Sequence, residues 1–287
     1  MLRRQRLLLG LLLNAPRTPS KVEFTKWVFL IRMETALSTD DSFYDFLPYK
    51  YGPFSFVLYR EIDELRRSGY VDTESLRVSE LLASEARDLF ESLPISARRS
   101  VEHILCEYGR LSKKALIDGV YERHPWFAQR SQIRSVPSRP LRAPTAVYTA
   151  GYEGESVDFF FQKLIRAGVQ RIIDVRSNPV SRKYGFSRRT LERLSDKLAI
   201  QYCHFRDVGV PSTWRAKLTC YSDYQKVLNM YERRVLPKAG DSCTRISELM
   251  QEIPSVLVCY ERDPRYCHRN RLALRISDRC GLEVKHL

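Results

Sequence analysis

The sequence predicts two domains: a mostly helical, winged-helix-like N-terminal domain over residues 1–129 and an α/β C-terminal domain over residues 146–287 with a Rossmann-like, three-layer parallel sheet. Three observations predict this division. Apolar residues recur at helical spacing in the first part, whereas short apolar strands alternate with helices in the second. Residues 130–145 between them are rich in Ser, Arg and Pro and lack an apolar period, which is typical of a linker.

The N-terminal domain has the order of elements found in winged helices. Apolar spacing predicts helices at residues 2–13, 21–34 and 56–68, and three more at residues 79–93, 96–108 and 112–122. A stretch with turn residues and four aromatic residues, Asp45–Ser55, precedes the third helix. Gly69 ends that helix, and Tyr70-Val71-Asp72 resembles a short wing strand.

The segment Tyr49-Lys50-Tyr51-Gly52-Pro53-Phe54-Ser55 resembles the pattern of Panacea-type domains, which are associated with toxin–antitoxin systems. The resemblance covers about residues 1–80. It implies a winged-helix-like fold that recognises DNA or protein. The alternative is that these aromatic side chains only pack the core of the small domain.

The C-terminal domain is predicted to alternate strands with helices. Strands are expected at residues 146–149, 170–175, 200–205, 255–259 and 282–284, and helices at residues 156–167, 187–198, 223–235, 244–251 and from about Tyr266 to Gly281. Short apolar strands spaced by helices favour a parallel sheet.

The overall charge favours an anionic partner. The chain has 48 Lys and Arg against 34 Asp and Glu, for a formal net charge of +14. Arginine suits bidentate contacts with phosphate, so nucleic acid is the expected macromolecular partner and a small anionic ligand is a further candidate. The alternative is a basic surface that only aids solubility.

The seven cysteines and the first residues of the sequence bear on the cellular compartment of the protein. An odd number of scattered cysteines predicts reduced thiols and a cytoplasmic protein. The basic, then leucine-rich start imitates a secretory signal, but Asn14-Ala15-Pro16 is a poor cleavage site, so we expect the first helix of a folded domain. No apolar run approaches the length that spans a membrane.

Polar side chains follow four consecutive strands of the predicted sheet. The segments are Gly151-Tyr152-Glu153-Gly154, Asp174–Pro179, His204 with Arg206 and Asp207, and Glu261–Arg269. The carboxyl ends of parallel strands meet at one edge, which is where ligands bind in open α/β sheets. The sequence therefore predicts a polar site at this edge.

These segments also carry a family resemblance. Gly-Tyr-Glu-Gly, the Asp-Val-Arg-x-x-Pro-x-Ser pattern from Asp174, Gly-Phe-Ser before a helix, and Cys259-Tyr260-Glu261 followed by Cys267-His268-Arg269 together resemble the domain-of-unknown-function family DUF488. The resemblance covers about residues 146–287. It implies an α/β fold and a shared polar site, but no established reaction. Gly209-Val210-Pro211 departs from the pattern, because a second glycine is expected after Gly209.

Candidate residues fall into three groups. The catalytic candidates are Glu153, Asp174, Glu261, Cys267 and His268. The candidates for substrate binding are Tyr152, Arg176, Ser181, Arg182, His204, Tyr260 and Arg269. The candidates for nucleic-acid binding in the N-terminal domain are Lys50, Tyr51, Arg60, Lys113 and Lys114.

Each chemical role has an alternative. Arg176 either holds an anion or forms a buried salt bridge with Asp174 or Glu153, and two residues apart on a strand Asp174 and Arg176 share a face. Cys267, at a helix start, is either a nucleophile of lowered pKa or a small buried residue. Among several arginines, a carboxylate such as Glu153 or Glu261 is expected to have a lowered pKa and to act as a base.

Metal binding, phosphatase chemistry and sulfur transfer are less favoured. Cys259, Cys267 and His268, together with Cys203 or His204, suggest a metal site, but no Cys-x-x-Cys spacing supports it, so no metal is predicted. Cys259 and Arg265 match the phosphatase Cys-x5-Arg spacing, yet the residues between them are too bulky and acidic for a phosphate cradle. A rhodanese-like sulfur transfer lacks its active-site cysteine loop. No motif identifies a cofactor.

Two functional hypotheses result. The first is an enzyme that acts on nucleic acid or a nucleotide, with the helical domain on the phosphate backbone and the chemistry at the sheet edge. The second is a non-catalytic DNA-binding regulator or sensor whose α/β domain binds a small anionic ligand. Carboxylates and His at the edge favour the enzyme, whereas the lack of a recognisable nucleophile–base pair favours the sensor.

Overall fold

The structure of the protein, a computed structural model, describes residues 1–133, 143–215 and 218–287. The chain divides into two compact units, Met1–Ser138 and Arg139–Leu287. Most of the predicted linker, from residue 134 to residue 142, lies outside the described residues. Among the described helices, none is both long enough and apolar enough to cross a membrane.

The N-terminal unit is helical except for one hairpin. It contains α1 (Arg3–Leu13), α2 (Lys21–Glu34), β1 (Leu47–Tyr49), β2 (Gly52–Phe54), α3 (Phe56–Arg67), α4 (Ala83–Glu91), α5 (Ile95–Tyr108), α6 (Lys113–Arg123) and α7 (Pro125–Ala128). The bounds of α1, α2, α3, α5 and α6 agree with the predicted helices to within one residue.

Local chemistry explains why these helices start where they do. Ser20 and Glu23 form a capping box at the start of α2, in which each side chain accepts a hydrogen bond from the other residue's backbone N–H. Ser55 caps α3 by accepting from Leu58 N at 3.2 Å. A single hydrophobic cluster joins the inner faces of the helices. Gly10 of α1 packs so closely on Phe90 of α4 that a Cβ would lie 2.0 Å from its ring.

Two N-terminal predictions are corrected by the structure. Residues 79–93 do not form one helix: a 3-10 helix, Glu80–Leu82, precedes α4 and bends the chain. The turn-rich stretch before α3 contains the antiparallel β1–β2 hairpin, whose strands are too short to show an alternating pattern. At the position of the predicted wing strand, Val71 pairs with Val78 in an isolated antiparallel bridge.

The C-terminal unit is a mixed α/β fold. It contains β3 (Val147–Gly151), α8 (Val157–Arg166), β4 (Arg171–Asp174), α9 (Arg188–Lys197), β5 (Gln201–His204), α10 (Tyr221–Arg234), α11 (Gly240–Glu252), β6 (Ser255–Cys259), α12 (His268–Cys280) and β7 (Val284–His286). The last strand starts two residues later than predicted, because Gly281 adopts a left-handed conformation at φ 70° and ends α12 with a turn.

The five strands form one parallel sheet in the order β5-β4-β6-β3-β7. Strand β6 lies between β4 and β3, which places its carboxyl end at the centre of the sheet edge. The register pairs Asp174 with His204 and Val258, and Gly151 with Cys259. Such a sheet is compatible with the predicted Rossmann-like arrangement.

Side chains alternate between the two faces of the sheet. Ile173, Val175, Leu257 and Cys259 belong to one hydrophobic cluster with residues of α11 and α12. Because neighbouring strand residues point to opposite faces, Asp174 lies on the other face. Different polar groups therefore lie on the two faces at the same edge of the sheet, Cys259 on one face and Asp174 on the other.

Candidate functional site

A buried ion pair occupies one face of the edge. The Arg176 guanidinium donates to both carboxylate oxygens of Asp174, at 2.8 and 2.5 Å. Tyr202 donates to the same carboxylate at 2.8 Å. Arg176 Nη1 also donates to Tyr152 Oη at 2.7 Å and to the Phe186 carbonyl at 2.8 Å. Burial alone would lower the pKa of Arg176, but the Asp174 partner raises it, so the guanidinium is charged.

This network involves three of the candidate residues. Asp174 is fully buried and Arg176 is 3% exposed, so the salt-bridge alternative is the one the structure shows. Tyr152 is buried as well, with its ring stacked on Phe186 at 4.0 Å between centroids. These three residues hold the loops after β3 and β4 together, and their roles in catalysis or substrate binding stay predictions.

Arg269 also donates hydrogen bonds to groups of the protein itself. It is 1% exposed, and its guanidinium donates to the Glu261 carbonyl and, at 2.8 Å, to the Arg262 carbonyl. These bonds hold the loop after β6. The same loop presses on Gly151, where a Cβ would lie 1.8 Å from the Glu261 carbonyl oxygen. Arg269 therefore positions a loop, and its predicted role in binding an anion stays a prediction.

An open basic cavity of about 770 Å³ lies at the carboxyl ends of β4 and β5. It is lined by Ser177, Asn178, Pro179, Val180, Ser187, Arg188, Arg189, His204, Arg206, Pro211, Ser212 and Thr213. The three arginines are exposed, and none of the described lining residues is acidic. The cavity is a concave, positively charged surface at the place where ligands bind in such sheets.

Two loops form the cavity wall by close approach of their backbones. A Cβ on Gly209 would lie 2.1 Å from Ser177 N, so only glycine fits there without displacing the loop. Ser177 Oγ donates to the Val210 carbonyl at 2.6 Å. This contact gives Gly209 a structural role in the segment that departs from the family pattern.

His204 orients one of the cavity arginines. Its Nε2 lies 2.7 Å from the Arg176 carbonyl, and its Nδ1 lies 3.4 Å from Arg188 Nη1. The carbonyl can only accept, so Nε2 carries the proton and Nδ1 accepts from Arg188. His204 is thus the predicted binding residue that the structure places in this cavity.

Sequence reasoning missed Arg188 and Arg189. Both lie in the first turn of α9, directly after the Gly-Phe-Ser motif, and the position of the motif before a helix was the available signal. The predicted neighbours Ser181 and Arg182 lie on the loop between Val180 and Ser187, which both line the cavity. The Ser187 hydroxyl donates to the Ser181 carbonyl at 2.9 Å and so braces this loop.

A cluster of two thiols, one imidazole and one carboxylate lies on the opposite face, where β6 ends and α12 begins. Cys259 Sγ lies 3.7 Å from His268 Nδ1 and 3.3 Å from Glu261 Oε2. The ligand atoms of Cys259, Cys267 and His268 all lie within 4.8 Å of one another, and all three residues are buried. The sequence names Cys259, Cys267 and His268 as possible metal ligands, but their spacing did not favour a metal site.

Cys267 does not have the lowered pKa that its helix-start position predicts. The thiol is 1% exposed, and burial raises its pKa well above the ordinary value. A buried, protonated thiol is a poor nucleophile. Of the two alternatives for Cys267, burial and a raised thiol pKa favour the small buried residue over the activated nucleophile.

Glu153, Tyr260 and Glu261 line the outer part of the same edge. Glu153 is exposed, and its carboxylate accepts from Arg262 N at 3.1 Å. Tyr260 is 44% exposed. Glu261 is half-buried: burial would raise the pKa of its carboxyl, but a hydrogen bond from Cys267 and the charge of His268 lower it. The lowered pKa of the Glu261 carboxyl has the direction expected for a carboxylate that stays ionised.

The N-terminal candidates lie on the surface of their own unit. Tyr51 is 54% exposed at the hairpin turn, and Lys50 Nζ lies 5.8 Å from the Tyr49 ring centroid. Arg60 pairs with Glu64 at 2.9 Å. Lys113 and Lys114 line a shallow depression together with Asp118 and Glu122. The acidic neighbours reduce the local positive charge around three of the five candidates.

Comparison with known proteins bears on the C-terminal unit. The family described as "Domain of unknown function DUF488" matches residues 156–276, from the start of α8 to α12. The chain matches no curated protein and no solved structure. The C-terminal half of this protein is thus similar to the DUF488 family, as its motifs predict.

Proposed function

We propose that the protein is an enzyme that acts on nucleic acid or on a nucleotide, with a phosphate group held in the basic cavity between β4 and β5. The observation that supports this most directly is the grouping of Arg188, Arg189 and Arg206 around one open cavity. Three guanidinium groups present a forked set of N–H donors that matches phosphate oxygens. The net charge of +14 agrees with an anionic partner.

The chemistry is assigned to the carboxylates of the edge that remain accessible. Glu153 is exposed and Glu261 is half-buried, whereas Asp174, Cys267 and His268 are enclosed. We assign proton transfer to Glu153 and an electrostatic role to Glu261. Tyr260, exposed beside them, is placed to contact the base or sugar of the substrate.

The N-terminal unit is proposed to be winged-helix-like and to bind the nucleic-acid backbone. Lys50 and Tyr51 at the hairpin turn combine a cation with an exposed ring, which suits backbone and base contacts. Lys113, Lys114 and Arg60 would add phosphate contacts. Seven free cysteines support the proposal of a cytoplasmic location.

Binding and product analysis test this proposal together. The purified protein is titrated with single- and double-stranded DNA at two salt concentrations, and the same samples with Mg²⁺ or Zn²⁺ are inspected by mass spectrometry. We expect binding that weakens steeply with salt, and an altered DNA mass. The Glu153→Gln variant should abolish the product and retain the affinity. Weak binding that does not respond to salt would contradict the proposal.

A second candidate function is a sensor in which the cavity binds a small anion and no reaction follows. One observation favours it: three of the five catalytic candidates are buried and hydrogen-bonded within the protein. Salt-dependent binding with unchanged DNA, and an equal effect of Glu153→Gln on every measured property, would favour this sensor over the enzyme.

A further inference from the structure

We propose that Cys259, Glu261, Cys267 and His268 form a binding site for one zinc-class divalent metal ion at the carboxyl end of β6. The inference does not depend on the proposed function, since the ligand geometry is the same whatever the basic cavity binds; Glu261 is the one residue that the two proposals share. It rests on the geometry of the four side chains, on their burial and on the orientation of the imidazole.

The distances match a tetrahedral site. With Zn–S bonds of about 2.3 Å and Zn–N bonds of about 2.1 Å, a sulfur and a nitrogen ligand are separated by about 3.6 Å. Cys259 Sγ and His268 Nδ1 are 3.7 Å apart. The Cys259 thiol and the Glu261 carboxylate are 3.3 Å apart, close to the separation of a sulfur and an oxygen ligand. The ligand atoms of Cys259, Cys267 and His268 lie within 4.8 Å of one another, so binding an ion would draw them together by up to about 1 Å.

The imidazole is oriented as metal-binding imidazoles are. His268 Nε2 lies 3.0 Å from the Val175 carbonyl, which can only accept a hydrogen bond. Nε2 therefore carries the proton, and Nδ1 directs its lone pair toward the thiols. The Tyr231 ring packs edge-on against the imidazole at 5.2 Å between centroids and fixes its plane.

The surroundings favour a closed site for a borderline-soft ion. Cys259, Cys267 and His268 are at most 5% exposed, and Glu261 closes the cluster on the side of the loop. Thiolate and imidazole ligands select zinc-class metals over Mg²⁺ or Ca²⁺. Two thiolates and one carboxylate around a divalent ion leave a net negative charge, which the N-terminus of α12 stabilises.

The spacing explains why the sequence disfavoured this site, although it offered Cys259, Cys267 and His268 as possible ligands. The ligands come from the end of one strand, from the loop and from the first turn of the next helix. Zinc motifs built on hairpins place two cysteines with two residues between them. Here the two cysteines are further apart along the chain, and the sheet edge brings Cys259 and Cys267 together. Only the loop that Arg269 holds in place completes the set.

The test uses the full chain purified without chelator. We expect about one zinc per chain by elemental mass spectrometry, and, after removal of zinc and addition of Co²⁺, the visible bands of tetrahedral Co²⁺ together with thiolate-to-cobalt charge transfer. A folded chain that holds no zinc and shows no thiolate band with Co²⁺ would overturn the proposal. So would zinc binding accompanied by a cobalt spectrum without thiolate character.

Variants locate the ion. Cys267→Ala should weaken zinc binding by more than the 10–100-fold that loss of an outer-shell partner costs, about 100-fold or more. Cys243→Ala is the matched control, because Cys243 is buried in the same hydrophobic cluster and is not a ligand. If Cys267→Ala does not fold, Glu261→Gln replaces it, since Glu261 is only half-buried. Equal zinc affinity in the control and in the folded ligand variant would refute the site.

Discussion

Two groups of arginines lie near the carboxyl edge of the same sheet, and burial separates their roles. Arg176 and Arg269 are at most 3% exposed and donate to groups of the protein itself. Arg188, Arg189 and Arg206 are exposed and surround an open cavity. Arg176 after β4 and Arg269 in the first turn of α12 hold the loops. Arg188 and Arg189 in the first turn of α9, and Arg206 after β5, are available to a ligand. A motif alone does not distinguish the two groups.

The largest expected effect comes from breaking the buried ion pair. Asp174→Ala leaves the Arg176 guanidinium charged, enclosed and without its carboxylate. Removing one partner of a buried pair costs about 3–5 kcal/mol of folding free energy. Denaturant unfolding of the purified variant measures the loss. A cost below about 1 kcal/mol would show that the pair is not buried in solution and would erase the contrast between the two groups.

The N-terminal unit also contains a buried charged side chain, Lys26. Its ammonium is 1% exposed and donates to the Tyr51 carbonyl at 2.8 Å, and burial lowers its pKa to about 7. The folded state therefore binds fewer protons than the unfolded state between pH 7 and the ordinary lysine pKa. Stability contributed by this group rises with pH across that window.

A comparison of the parent with Lys26→Met measures this effect. Between pH 7 and pH 9 the free energy of unfolding of the parent should rise by on the order of 2 kcal/mol relative to the variant. Comparing the two proteins cancels the titration of other groups. Identical pH dependence in both would show that the Lys26 ammonium is solvated when the protein is folded.

The smallest effect on stability is expected from substitutions of the exposed arginines that line the basic cavity. Arg188→Ala and Arg189→Ala, singly or together, should change the free energy of unfolding by no more than about 0.5 kcal/mol. Arg193→Ala is the matched control, on the same helix and exposed but outside the cavity lining. A cost comparable with that of Asp174→Ala would mean that these arginines hold the fold as Arg176 does.

The sequence predicted the elements better than it predicted the site. Apolar periodicity located the helices and the first four strands of the sheet, because these elements are stabilised by burying one face or both. It did not predict the β1–β2 hairpin, which is held by the Gly52 turn and by aromatic packing. The polar residues that follow the strands predicted which edge of the sheet is polar, since parallel strands bring their carboxyl ends together.

Which side chains at that edge are free could not be read from the sequence. Asp174 and Arg176 have the residue types of an anion site, and only the fold shows that they neutralise each other. Cys267 has the helix-start position of a reactive thiol, but Cys259 and His268 enclose it. Arg188 and Arg189 belong to no polar motif, and they line the cavity because α9 begins beside β5.

The most direct test of this account is the affinity of the Arg188→Ala/Arg189→Ala double variant for a single-stranded oligonucleotide at low salt. The account predicts binding at least about tenfold weaker than in the parent and a smaller dependence on salt, because fewer phosphates are neutralised. Arg193→Ala should bind like the parent. Unchanged affinity in the folded double variant, or an equal loss with Arg193→Ala, would contradict the assignment of the basic cavity as the phosphate site.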